Sequence, residues 1–99
     1  MDNIFSNPNC NTCSLQTDIT VGVILDINRQ NRSFTTISNG NPFSIIQFNV
    51  PNNAQIIDRL GRSVDFNRLI PGMRVWIRHA SFMTFSIPPQ TTAYEIRIR

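Results

Sequence analysis

From residue 18 onward the chain alternates apolar and polar side chains at period two, interrupted at short intervals by Asn, Pro or Gly. In DITVGVILDI, Val21, Val23, Leu25 and Ile27 share one face and Thr20, Gly22, Ile24 and Asp26 the other. This pattern predicts a half-buried strand with the first set in the core. Gly22 inside it predicts a bulge or tight bend. After the polar turn NRQNR, SFTTIS predicts a second strand, and Asn39-Gly40 followed by Pro42 is a hairpin signal. The third strand, FSIIQFNV, places Phe43 and Ile45 on one face and Ile46, Phe48 and Val50 on the other, so burial on both sides is expected. QIIDRLGRSVDF predicts two short strand pieces around Gly61. NRLIPGM predicts a compact turn, at most one helical turn, with Asn67 as its cap and Leu69 and Ile70 pointing inward. MRVWIRHA is the fourth long strand, with Met73, Val75, Ile77 and His79 opposed to Arg74, Trp76, Arg78 and Ala80. In the last, TTAYEIRIR, Tyr94, Ile96 and Ile98 oppose Glu95, Arg97 and Arg99.

Three meandering strands, a turn-rich crossover and two further strands can bury one core only by curling the sheet or packing it on itself. The order predicts an all-β fold, a five-stranded OB-like Greek-key barrel, with an SH3-like barrel or a small β-sandwich as alternatives. The pieces VGVILDINRQNRSFTT, LGRSVDFNRLIPGMRVWI and TTAYEIRIR resemble small bacterial OB-type barrels. There a Gly-x-Val strand precedes a basic turn, and a turn ending in Pro-Gly introduces a Val-rich strand. The resemblance spans residues 18–99 and implies a barrel domain; it assigns no activity, because the fold hosts many functions. Residues 1–17 show no period and are expected to form an irregular or disordered arm ahead of this single domain.

Composition agrees with strands. The 99 residues include 14 Ile, 5 Val, 8 Thr and 7 Phe, against 3 Ala, 4 Leu, one Glu and no Lys. Twelve Asn suit a chain of many turns. No apolar stretch approaches the roughly 18 residues of a membrane span. The N-terminus MDNIFSNPNC lacks a basic region leading into an apolar run, so no secretory signal and a cytoplasmic location are expected. All nine cations are Arg, and the net charge of +3 permits binding to nucleic acid or another anionic partner.

Catalytic chemistry finds little support. Cys10 and Cys13 form a CxxC, but structural zinc needs four ligands and a redox pair needs a helix N-terminus, absent from this Asn-rich segment. They are read as free cysteines, with an intermolecular metal or disulfide link left open; no resident metal or cofactor is expected. His79, the single histidine, continues an apolar face and is expected at the rim of the barrel. The six acids are scattered, and no phosphate loop, nucleophile elbow or HExxH occurs.

Two surfaces stand out. If Val75 and Ile77 face the core, Arg74, Trp76 and Arg78 project together, and pairing of the last two strands brings Arg97 beside them. An aromatic ring flanked by guanidinium groups suits single-stranded nucleic acid or another anionic polymer; the same alternation also describes an ordinary solvated face. The segment SFMTFSIPPQ, between the last two strands, carries Phe82, Met83, Phe85 and Ile87. Either it closes the barrel or it serves self-association, with a homodimer as the simplest outcome. The expected function is a non-catalytic binding module, with a self-associating structural module as the alternative.

Overall fold

A computed structural model of the protein describes residues 16–38 and 41–99. Residues 1–15 of the expected N-terminal arm, with Cys10 and Cys13, the Asn39-Gly40 hairpin turn and the side chain of Phe43 lie outside the described residues, while Thr17, expected in the arm, belongs to the first strand. Six strands follow in chain order: β1 Thr17–Asn28, β2 Ser33–Ser38, β3 Asn41–Asn49, β4 Gln55–Ile57, β5 Arg74–Ala80 and β6 Gln90–Ile98. One 3-10 turn, Phe66–Arg68, precedes β5. It buries Phe66 and Leu69 and leaves Ile70 exposed, so only one of the two expected plugs enters the core.

The fold is all-β, but it is not the five-stranded OB-like Greek-key barrel expected from strand order. It is a six-stranded mixed sheet, ordered β3-β2-β1-β5-β6-β4. The difference lies at one edge of β6. Gln90–Thr92 of β6 pair in parallel with Gln47–Asn49 of β3, while Glu95–Arg97 pair in parallel with β4. The short piece QII therefore takes the second half of the edge that a closed barrel would give to β3. β5 lies antiparallel along the other edge.

β1 holds the sheet together by pairing with β5 over Thr17–Val23 and with β2 over Val23–Asn28. Its sequence is apolar on both faces, and the expected face is the wrong one. Ile24 is buried at 1% exposure, whereas Val21 and Leu25, expected in the core, are 50% and 43% exposed. Gly22 decides the orientation. A Cβ there would stand 2.8 Å from the carbonyl oxygen of Ile37, so only glycine admits this approach, and its neighbours at odd positions turn outward. The register then shifts between Ile24 and Asp26, a bulge at Leu25 that brings Ile27 back against the core.

The core comprises Ile24, Phe34, Phe48, Val50, Ile56, Val75, Ile77, Ala93 and Ile96 together with Phe66 and Leu69. Of the residues expected inside, Val75, Ile77 and Ile96 are buried, and Ile27 and Ile98 pack at the margin. Phe34 and Phe48 stack across β2 and β3 with centroids 5.6 Å apart. The orientation of β1 is tested by stability. Ile24→Ala is expected to cost about 2–5 kcal/mol in urea unfolding, and Val21→Ala under about 1 kcal/mol. The reverse order would restore the odd face to the interior.

Candidate functional site: an arginine and tryptophan sheet face

The register of β1, β5 and β6 fixes which outward side chains are neighbours, because directly opposed residues in antiparallel strands share a face. Val21 opposes Trp76, which opposes Arg97. Ile19 opposes Arg78, which opposes Glu95. Val23 opposes Arg74, and the Arg99 backbone N–H donates to the Arg74 carbonyl oxygen at 2.9 Å, which places Arg99 alongside. Arg74, Trp76, Arg78 and Arg97 are thus brought together on the outer face, as the alternation in the sequence predicts. Val75 and Ile77, fully buried between them, hold that face outward.

Trp76 is half-buried, and the Arg97 guanidinium lies over its ring at 5.3 Å from the centroid. Glu95 orients this cation. Arg97 Nε donates to Glu95 Oε2 at 2.6 Å, and Arg78 lies at 3.5 Å from Oε1. Glu95 is itself only 8% exposed. The hydrogen bond from Arg97 and the positive charges of Arg97 and Arg78 hold its carboxyl below the usual range, against the opposing effect of burial. Arg59, Arg74 and Arg99 make no ion pair or side-chain hydrogen bond among the described residues, so their charges are uncompensated.

A shallow open groove of about 630 Å³ adjoins the ring, lined by Ile57, Arg59, Trp76, Arg97 and Arg99. Its far wall is the turn at Asp58–Arg62. Asp58 Oδ1 accepts the backbone N–H groups of Arg62 and Leu60, both at 2.9 Å, and Gly61 takes a φ of 83°. The Arg62 N–H, ahead of the other contacts, lowers the Asp58 carboxyl below its ordinary value. Arg99 follows from the alternation along β6, but Ile57 and Arg59 escape sequence reasoning as members of this face. They arrive through the parallel pairing of Ile57 with Arg97, which no local pattern announces.

His79 is not at a rim. It is 1% exposed and packs against Phe48 with centroids 5.2 Å apart. Nδ1 lies 2.7 Å from the Ala80 carbonyl oxygen, which can only accept, so Nδ1 carries a proton. Nε2 lies 2.8 Å from the Thr20 hydroxyl. Both nitrogens are occupied, and the histidine serves the core. The described residues assemble no catalytic constellation, and among them no group of three or more His, Cys, Asp and Glu could hold a metal ion.

The segment between β5 and β6 does not close the sheet. Thr84 and Ser86 turn their hydroxyls to the segment's own polar groups, with Thr84 Oγ1 accepting from the Gln90 N–H and Ser86 Oγ donating to the Pro88 carbonyl oxygen. Phe82, Phe85 and Ile87 point out, Phe85 with its side chain wholly in solvent at 107% exposure, while Met83 is half-buried. The segment is turned, not extended, so its apolar side chains do not alternate between two faces. No helix among the described residues is long and apolar enough to cross a membrane.

No protein-family model matches the chain. No curated protein matches it either. Solved structures that share its fold include two forms of one protein. One is a copper(II) form of a tryptophan-to-alanine variant of CusF from Escherichia coli, with a TM-score of 0.58 and 10% identity, covering 85% of this chain and 92% of that one. The other is a silver(I) form of CusF, with a TM-score of 0.57 and 13% identity, covering 85% of this chain and 99% of that one. The chain is a small β-rich domain distantly similar to CusF in fold, and membership of a small bacterial OB-type family gains no support. The expected cytoplasmic location gains no support from this likeness either. At these identities the likeness shows the fold alone.

The geometry around Glu95 sets a pH dependence. Because its folded carboxyl is held low, Glu95 contributes stability at neutral pH, and that contribution is lost as pH falls below the ordinary carboxylate range and through the lowered value. Glu95→Gln is expected to cost about 1–2 kcal/mol at pH 7, with the difference from the native protein closing as pH falls through the lowered value. Thermal melts across pH check this; a difference independent of pH would mean the carboxylate charge is immaterial.

Proposed function

We propose that the protein is a non-catalytic binding module whose Arg74, Trp76, Arg78 and Arg97 face takes an anionic polymer, single-stranded nucleic acid or another. The supporting observation is the Arg97 guanidinium lying over the Trp76 ring and held there by Glu95, with Arg59, Arg74 and Arg99 uncompensated around it. A guanidinium plane backed by an indole offers a stacking surface, and free arginines offer bidentate contacts to phosphate. Glu95 cancels part of the charge of Arg78 and Arg97, so affinity comes from few cations and is modest.

The copper and silver of the CusF structures do not carry over to the described residues. Silver(I), a soft ion, selects thioether, thiolate and imidazole donors, whereas copper(II) takes nitrogen and oxygen donors in a square plane. Of the thioethers among the described residues, Met73 packs against the core and Met83 is half-buried in the segment between β5 and β6. The one imidazole is buried and bound at both nitrogens.

Binding to a labelled oligothymidylate is expected to weaken with salt at a slope of about −2 to −3, as three or four phosphate contacts give on a single strand. Trp76→Ala is expected to cost about 1–3 kcal/mol of binding without unfolding the domain. Anisotropy that stays flat for every polyanion at low salt would exclude the reading.

A second reading concerns the other surface. Phe82, Phe85 and Ile87 are held outward by a segment whose polar side chains serve its own backbone, and Ser81–Gln90 carries no charge to repel a second copy. Self-association as a homodimer through this segment covers them. Sedimentation is expected to show a dimer that the double change Phe82→Ser and Phe85→Ser converts to a folded monomer. A native monomer at all practical concentrations would remove this reading.

A further inference from the structure

The outer face is not uniformly basic. Its first column, on β1, is apolar: Ile19 and Val21 are 56% and 50% exposed, with Val23 half-buried beside them. Its second column, on β5, is Arg78, Trp76 and Arg74, and its third, on β6, is Glu95, Arg97 and Arg99. The columns run parallel to the strands, and successive outward side chains within each stand about 6.6–6.8 Å apart. An apolar track and a cationic track therefore lie side by side, with Trp76 between them.

A bare polyanion would use only the cationic track. It would gain nothing from Ile19 and Val21, and Glu95 would oppose it at one corner. A single-stranded nucleic acid carries both chemistries at a repeat near this spacing: apolar base faces along one side, phosphates along the other. We infer that the face is matched to a single-stranded nucleic acid lying along β1 and β5, its bases on the Ile19, Val21 and Trp76 track. Its phosphates follow the uncompensated Arg74 and Arg99, while Arg97, held by Glu95, stays over the Trp76 ring. The inference rests on the reading of this face as a polyanion-binding surface and adds that the ligand must carry bases. β1 supplies the discrimination: burying base faces on its exposed aliphatic side chains rewards the ligand for its apolar area as well as its charge.

The test compares two ligands of equal length and phosphate number, labelled oligothymidylate and an abasic oligomer with the same backbone, by anisotropy at low salt with the full chain. Oligothymidylate is expected to bind about tenfold more tightly or better, since each stacked base contributes on that scale. The double change Ile19→Ser and Val21→Ser is expected to lower oligothymidylate affinity toward that of the abasic oligomer. The abasic affinity itself should hold within about twofold, because charge contacts are untouched. Equal affinity of the native protein for the two ligands overturns this inference and leaves the polyanion reading standing. Failure of both ligands to bind overturns the two together. The comparison on the native protein needs no variant, so a variant that melts early leaves the test intact.

Discussion

β1 has apolar side chains on both faces, and only one face can enter the core. The contact of Gly22 with the Ile37 carbonyl settles which. With no side chain at that position the neighbouring strand comes close, Ile24 fills the interior behind it, and Ile19 and Val21 are left in solvent. The rest of the outer face follows through register. Val21 sets Trp76 beside it, Trp76 sets Arg97, and the cation over the indole is the end of a chain of pairings that starts at a glycine. The choice leaves apolar surface exposed and forgoes about 1.5–3 kcal/mol for each large aliphatic side chain that a core would bury fully. That exposure is what makes the face a candidate for a ligand.

The second organising element is Glu95. A nearly buried carboxylate would be unfavourable alone. Here it accepts from Arg97 and lies against Arg78, both of which keep much of their surface in water. The arrangement costs little desolvation of the cations while holding one of them over the Trp76 ring. It also limits the net charge of the face, so the uncompensated positive field concentrates at Arg59 and Arg99, which line the groove, and at Arg74 next to Arg99.

Much of this was legible in the sequence. Arg74, Trp76 and Arg78 alternate with Val75 and Ile77, a one-sided apolar pattern that period two reads without ambiguity, and Arg97 follows from the same logic on β6. β1 was not legible by that logic, because Val21, Val23 and Leu25 look as much like a core as Ile24 does, and the bulge at Leu25 reverses the phase midway. Gly22 was the available signal: it marked the close approach but not its direction. Barrel closure was overread for a different reason. Which strand takes each half of the β6 edge is a long-range matter, and the three residues of β4 carry no local sign that they pair in parallel with Glu95–Arg97. His79 was correctly placed on the inward face. Its depth depends on Thr20, Phe48 and the Ala80 carbonyl, partners that only the tertiary structure assembles.

Amide shift mapping by two-dimensional NMR, with oligothymidylate titrated into the isotope-labelled chain, tests the central claim most directly. Perturbations are expected to concentrate at Ile19, Val21, Trp76, Arg97 and Arg99, with the buried Val75 and Ile77 amides following more weakly and the Ser81–Gln90 segment unchanged. Perturbations confined to that segment or to the β2 and β3 side of the sheet, with β1 and β5 silent, would contradict it.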